Sequence, residues 1–137
     1  MGASMRHKNW PERLNKILTD NRDAAFAWGP NDCCSFAASV VYELTGHDFY
    51  APFVGCYSSA LTAAKILKKH GGVRGIATTA LGNEIPPLTA GRGDIALVIT
   101  DHGDTLAVCI GHMCVAPGAI SLQHVPMSDA VTAWRVI

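Results

Sequence analysis

Apolar residues in this chain recur at helical spacing as far as residue 72, and from residue 94 they fall into short alternating or continuous runs. The first helix is predicted after Asn9. Pro11 lies near the first turn, Glu12 is a capping-box partner, Leu14, Ile17 and Leu18 form the apolar stripe, and the end falls near Asn21. "GPNDCCSFAASVVYELTG", residues 29–46, predicts a second helix over roughly 32–45, closed by Gly46. Its helical period places Cys33, Ala37, Val40, Val41 and Leu44 on one face and turns Ser35, Ser39 and Tyr42 away. A third helix follows Ser58 or Ser59, carries Leu61, Ala64, Ile66 and Leu67, and stops at Gly71 and Gly72. Glycine and proline punctuate 73–93, which leaves room for one short helical turn near Ile76 to Leu81.

The runs "DIALVIT", "TLAVCIG", "HMCVAPG", "ISLQHVP" and "AWRVI" then predict an antiparallel sheet of about five strands. "TDHGDT" closes the first hairpin, and a two-residue turn at Gly111 and His112 closes the second. Helices first and strands second give an α+β domain with its helices packed on one face of a meander. The chain divides into an N-terminal helix (1–25), the cysteine helix with its follower (26–72) and the sheet (94–137), all in a single domain.

Composition narrows the function classes. With 137 residues and 49% of them hydrophobic, the chain can bury one substantial core. Lys plus Arg equals Asp plus Glu at 11 each, and Lys65, Lys68 and Lys69 form a cluster on one helix and no long stripe. Nucleic acid is therefore not an expected partner. No apolar stretch approaches the roughly 20 residues of a membrane span, and the first sixteen residues lack a signal-peptide core, so synthesis and folding in a cytoplasm are expected. The five cysteines show no repeating spacing, so neither a disulfide framework, nor a metal site, nor any cofactor is predicted.

"NDCCSFAASVVYELTG" followed by "GRGDIALVITDHGDTLAVCIG" resembles the NlpC-type cell-wall cysteine peptidases, a papain-like family. In that family an Asp-Cys-Ser-Gly segment opens the nucleophile helix, and a Gly-Asp strand precedes one that begins with the catalytic histidine and ends in glycine. Asp32 and Cys33 match the first motif; Gly93, Asp94 and Ile95 match the second; "AWRVI" is similar to the last strand. The likeness covers residues 26–137 and is closer to short phage tail proteins of this kind, although Gly46, His47 and Asp48 depart from their middle motif. It implies a papain-like fold, Cys33 in the nucleophile position, other phage tail proteins or peptidoglycan as partners, and a route from host cytoplasm to virion tail tip.

The chemistry requires more than a cysteine. A thiol attacks as thiolate, a helix N-terminus favours that form, and an imidazole must take the proton and return it to the leaving amine. Alignment on the resemblance puts Thr105 where the histidine belongs, and threonine is no base near neutral pH. His102, three residues earlier in the hairpin turn, is a substitute base; the preferred plain reading makes it a solvated turn residue. His112 sits at the far end of the strand, roughly 20 Å away. His124 alternates outward, and His7, His47 and His70 read as surface or cap residues.

Cys34, about 100° round the helix from Cys33, is expected to pack beside Val41, and Cys56 to fill a loop. The Gly111–His112 turn sets Cys109 opposite Cys114, for which a disulfide or a metal shared with His112 is geometrically conceivable and a reduced, packed pair is preferred. Asp94 reads as the residue fixing the turn into its strand. The strand 105–110 is expected to turn Thr105, Ala107 and Cys109 toward the Cys33 helix. Three functions remain in play: an assembly module of a phage tail that has lost its histidine, which is favoured; a working cysteine peptidase or amidase on peptidoglycan stem peptides; and a binding module with no phage connection.

Overall fold

The computed structural model describes residues 6–137. Four helices, α1 (Trp10–Asn21), α2 (Cys33–Thr45), α3 (Ala60–His70) and α4 (Gly72–Leu81), precede every strand of a six-stranded antiparallel sheet. The strands are β1 (Glu84–Ile85), β2 (Ile95–Thr100), β3 (Gly103–Cys109), β4 (Met113–Pro117), β5 (Leu122–Pro126) and β6 (Thr132–Trp134), in the order β1-β6-β2-β3-β4-β5. The α+β reading and the β2–β5 meander are as the sequence predicts. The sheet has six strands and not about five, because β1 pairs Glu84 and Ile85 with Trp134 and Ala133. Two residues within a proline- and glycine-rich stretch are too few to show alternation.

Local chemistry explains most helix boundaries. Asp32 and Ser35 form a reciprocal capping box at the start of α2, Ser59 and Thr62 do so for α3, and Gly46 and Gly71 close these helices in the left-handed conformation. Helix α1 has its predicted span but not its predicted capping box, since the Asn9 side chain accepts from Arg13 Nε at 2.9 Å. In α3, Ile66 and Leu67 pack inward with Ala63, whereas Leu61 and Ala64 are exposed. The predicted short turn at 76–81 is a ten-residue helix that buries Val73, Ile76 and Ala77 on one side. Gly75 lets this helix close on its predecessor: a Cβ there would lie 2.0 Å from the His70 carbonyl oxygen.

The sheet is buried on both faces. Its inner face, with Ile95, Leu97, Leu106, Val108, Val115 and Trp134, packs against Leu14 of α1, most of α2, and Val73, Ile76 and Ala77 of α4. The outer face carries Ala96, Val98, Ala107, Cys109, Cys114, Ala116 and Ala133, packed with Met127 and partly buried Ile85 and Ala90. The expected strand orientation is therefore reversed: Leu106 and Val108 meet the helices, while Ala107 and Cys109 point to the far side. Small size was the wrong guide, because the helix layer stands far enough from the sheet to take branched side chains.

Asp94 does more than fix the turn into β2. Buried, it accepts from the Gly91 N–H through one oxygen and, through the other, from the Val136 N–H and from Arg6 Nη2, each at 2.9 Å. One carboxylate thus joins the entry of the sheet to both ends of the described chain.

Candidate functional site

The segment leading into α2 is a tight loop with a bridge between Ala27 and Asn31. Within it Gly29 takes φ +91°, which brings its N–H back onto Asp32 Oδ2 at 2.8 Å. The other oxygen of Asp32 accepts the Ser35 N–H at 2.9 Å, and the Tyr57 hydroxyl donates to Oδ2. Tyr50 extends the network, with its hydroxyl 3.1 Å from the Gly29 carbonyl and 2.9 Å from the Tyr57 hydroxyl. Asp32 is only 2% exposed, and its acceptor capacity is taken up by the helix cap and the loop. Its work is structural: it fixes the first turn of α2 and hence the place of Cys33.

Cys33 is the first residue of that helix and is half-buried. Burial is the main influence on its thiol, pushing it up to about 12 from an ordinary 9.0; the Asp32 carboxylate adds to this, while backbone N–H groups of Leu106, Cys34 and Cys33 itself favour the thiolate. The helix N-terminus is present, yet desolvation outweighs it. Cys34 behaves likewise, buried and raised by desolvation and by its neighbours Cys33 and Asp32. Neither thiol has the electropositive, solvated setting that makes a cysteine reactive at neutral pH.

Cys33 opens into a cleft between α2, α3, α4 and the β2–β3 hairpin, lined also by Phe26, Trp28, Tyr57, Ile66, His102 and Asp104. His102 therefore shares a cleft with Cys33, as a substitute base would. Its ring, however, lies flat on Phe26 with centroids 4.7 Å apart and planes 7° from parallel, and Trp28 meets it edge-on. The residue is exposed but held in this aromatic rim and by a backbone N–H to Thr100 Oγ1, so it is more than a solvated turn tip. No hydrogen bond joins its imidazole to Cys33.

Thr105 is 3% exposed, and its hydroxyl lies 2.9 Å from Thr100 Oγ1 and 3.0 Å from the Gly103 carbonyl, inside the hairpin. Paired with Val98 and sharing a strand face with Ala107 and Cys109, it turns its side chain to the outer side of the sheet, although the residue also borders the Cys33 cleft. The residue of β3 that shares the inner face with Leu106 at this end is Asp104, on the cleft rim and within electrostatic reach of Arg74. The carboxylate that acts on the Cys33 thiol is that of Asp32, and its charge disfavours the thiolate.

Sequence reasoning found Cys33 and His102 but missed Asp104, Tyr57 and the aromatic rim. The "FAW" triplet at 26–28 was a visible signal for two of the rim residues. Tyr57, alone in an irregular loop, gave none. Cys56, read as loop filler, is exposed, with its thiol 3.3 Å from the Pro52 carbonyl. Among the described residues no three His, Cys, Asp or Glu side chains converge as a metal-binding set, and no helix is long and apolar enough to cross a membrane. No curated protein matches the chain. A family model does match it, over residues 5–136, and the chain accordingly belongs to the family described as a domain of unknown function, DUF6950.

Proposed function

We propose that this domain is a phage or prophage tail-tip protein that keeps a papain-like, NlpC-type fold as an assembly module, its catalytic histidine lost. The carrying observation is the state of the Cys33 cleft: a thiol pushed up to about 12 chiefly by burial, with the hydroxyl of Thr105, the residue the resemblance aligns with the family's histidine, tied into the hairpin. The order of parts supports the fold reading, with a capped cysteine helix packed on a meander whose first strand begins after Gly93-Asp94. Its partners are other tail proteins, met in the host cytoplasm and retained in the virion.

A muropeptide digestion assay tests the reading. The purified chain is expected to release no stem-peptide fragments, since a thiolate without a positioned acid forgoes a roughly 10²- to 10⁴-fold acid–base contribution. In a phage that encodes the chain, Cys33→Ser is expected to assemble infective tails, whereas deletion of the domain is not. The shared cleft gives the peptidase reading its one foothold, with His102 swung off Phe26 as the base. Cleavage by the wild type that disappears in both Cys33→Ser and His102→Ala would install that reading in place of the assembly module.

A further inference from the structure

On the opposite face of the sheet from Cys33, the hairpin β3–β4 holds a second pair of thiols that the tail-protein reading does not use. We propose that Cys109 and Cys114 form a modification site, a dithiol that small-molecule disulfides convert into a cross-strand disulfide within the folded domain.

Register carries the proposal. Cys109 is the direct partner of Cys114, both belong to the outer-face cluster, and both are fully buried and free. Their pairing type follows from the backbone bonds around them. Ile110 donates its N–H to the Met113 carbonyl at 2.9 Å, closing the turn, while the N–H and carbonyl of Cys109 are spent on Asp94 and Gly93 on the β2 side. Cys109 and Cys114 thus occupy a non-hydrogen-bonded site of the β3–β4 ladder. There Cα atoms lie about 4.5 Å apart and side chains approach most closely, inside the 4.4–6.8 Å range that disulfides span.

The thiols are otherwise weakly held. Cys109 Sγ lies 3.6 Å from the Gly111 carbonyl and Cys114 Sγ 3.4 Å from the Val125 carbonyl, so rotation about each Cα–Cβ bond gives up one weak contact. The chemistry balances with a disulfide reagent such as oxidised glutathione. One protein thiolate attacks a reagent sulfur, breaks its S–S bond and expels one thiolate. The second protein thiolate then attacks the mixed disulfide, forms the Cys109–Cys114 bond and expels the other. Two protein thiols are oxidised, the reagent is reduced to two thiols, and the two protons end on those products. Burial raises both protein thiols, so exchange proceeds through local opening of the hairpin and is slow at neutral pH.

The sequence supplies a clean readout. No Lys or Arg lies between Arg92 and Arg135, so trypsin places Cys109 and Cys114 together in peptide 93–135 and Cys33, Cys34 and Cys56 together in peptide 23–65. The full chain is incubated for hours with oxidised glutathione at mildly alkaline pH, with its fold followed by circular dichroism, then alkylated in denaturant, digested and weighed. Peptide 93–135 is expected to lose two hydrogen atoms and take no alkyl group, while exposed Cys56 carries glutathione as the internal control. A doubly alkylated 93–135 alongside modified Cys56 would overturn the proposal. So would a glutathione held stably on 93–135, or a disulfide that forms only in denaturant. Cys114→Ser is expected to abolish the two-hydrogen loss; should that variant not fold, Cys114→Ala gives the same readout.

Discussion

The two faces of the sheet are both buried, yet they are built from different residues. The inner face is made of Ile95, Leu97, Leu106, Val108, Val115 and Trp134; the outer of alanines, Val98 and two cysteines. The inner side meets a layer of helices at the distance that branched side chains fill. The outer side is covered closely by irregular segments that bring Ala90, Met127 and Ala130 onto it, under which only small residues fit. Alternation along β3 is thus one of size and not of polarity. That difference also separates the cysteines. Cys33 lies at the rim of the large-residue side and inherits a cleft, whereas Cys109 and Cys114 lie within the small-residue side and touch one another's strand.

Large-to-small and small-to-large substitutions break this contrast from opposite sides. Trp134→Ala is expected to cost most, about 3–5 kcal/mol in urea unfolding, because it empties the largest fully buried site and removes the indole N–H donated to Thr78 Oγ1 at 3.2 Å. Leu106→Ala should follow at about 2–5 kcal/mol. Across the strand, Ala107→Leu is expected to destabilise by about 1–3 kcal/mol through overpacking against the outer cover. If Ala107→Leu were neutral while Leu106→Ala cost nothing, the assignment of faces would be reversed.

The same contrast explains what could be read in the sequence. Helices α2 and α3 were legible to within a residue or so, since Asp32, Ser59, Gly46 and Gly71 are local signals that act on their own neighbours. The hairpin pairing of Cys109 with Cys114 was legible for a similar reason: a two-residue turn fixes register. Which face of β3 meets the helices was not, because both sets of residues are apolar and only the thickness of the covering layer decides between them. In the sequence helix α4 shows only a single turn because its two glycines look like breaks; Gly75 is in fact the close contact that allows the helix to start so soon after α3. At the site, Cys33 is legible from its place in the first turn of α2 and from the Asp-Cys resemblance, and His102 from its position in a turn three residues before Thr105. Its stacking on Phe26 joins residues far apart in sequence and leaves no local trace.

The cap itself offers an effect of intermediate size. Asp32→Ala removes the acceptor for Ser35 N–H, Gly29 N–H and the Tyr57 hydroxyl at once. The cap alone is worth about 0.5–2 kcal/mol, and unfolding by denaturant would measure it. Asp32→Asn is expected to recover part of that loss, since an amide oxygen still caps the helix. A variant as stable as the wild type would mean that the loop from Phe26 to Asn31 is held by other contacts, and the placement of Cys33 would need another cause.

The smallest stability effect is expected at Cys33, where Cys33→Ser at neutral pH should fall below about 1 kcal/mol because the change lies at the rim and keeps the side chain's size. Its pH dependence is more telling. The folded thiol is raised to about 12 from an ordinary 9.0. Between those values the unfolded chain binds fewer protons than the folded one, so this group's contribution is complete below about pH 9 and is lost as pH rises toward 12. The same shift lowers the thiolate fraction of native Cys33 at neutral pH by roughly 10²- to 10³-fold against the unfolded chain. Iodoacetamide labelling of the native protein, with the modified residue located by fragment ions, should therefore reach exposed Cys56 first and reach Cys33 slowly, at a rate still climbing beyond pH 9. An activated nucleophile behaves oppositely, with fast labelling that levels off below pH 8. That profile at Cys33, abolished by His102→Ala, would show that the imidazole leaves Phe26 to serve the thiol, and the inner-face cleft would then be a working site.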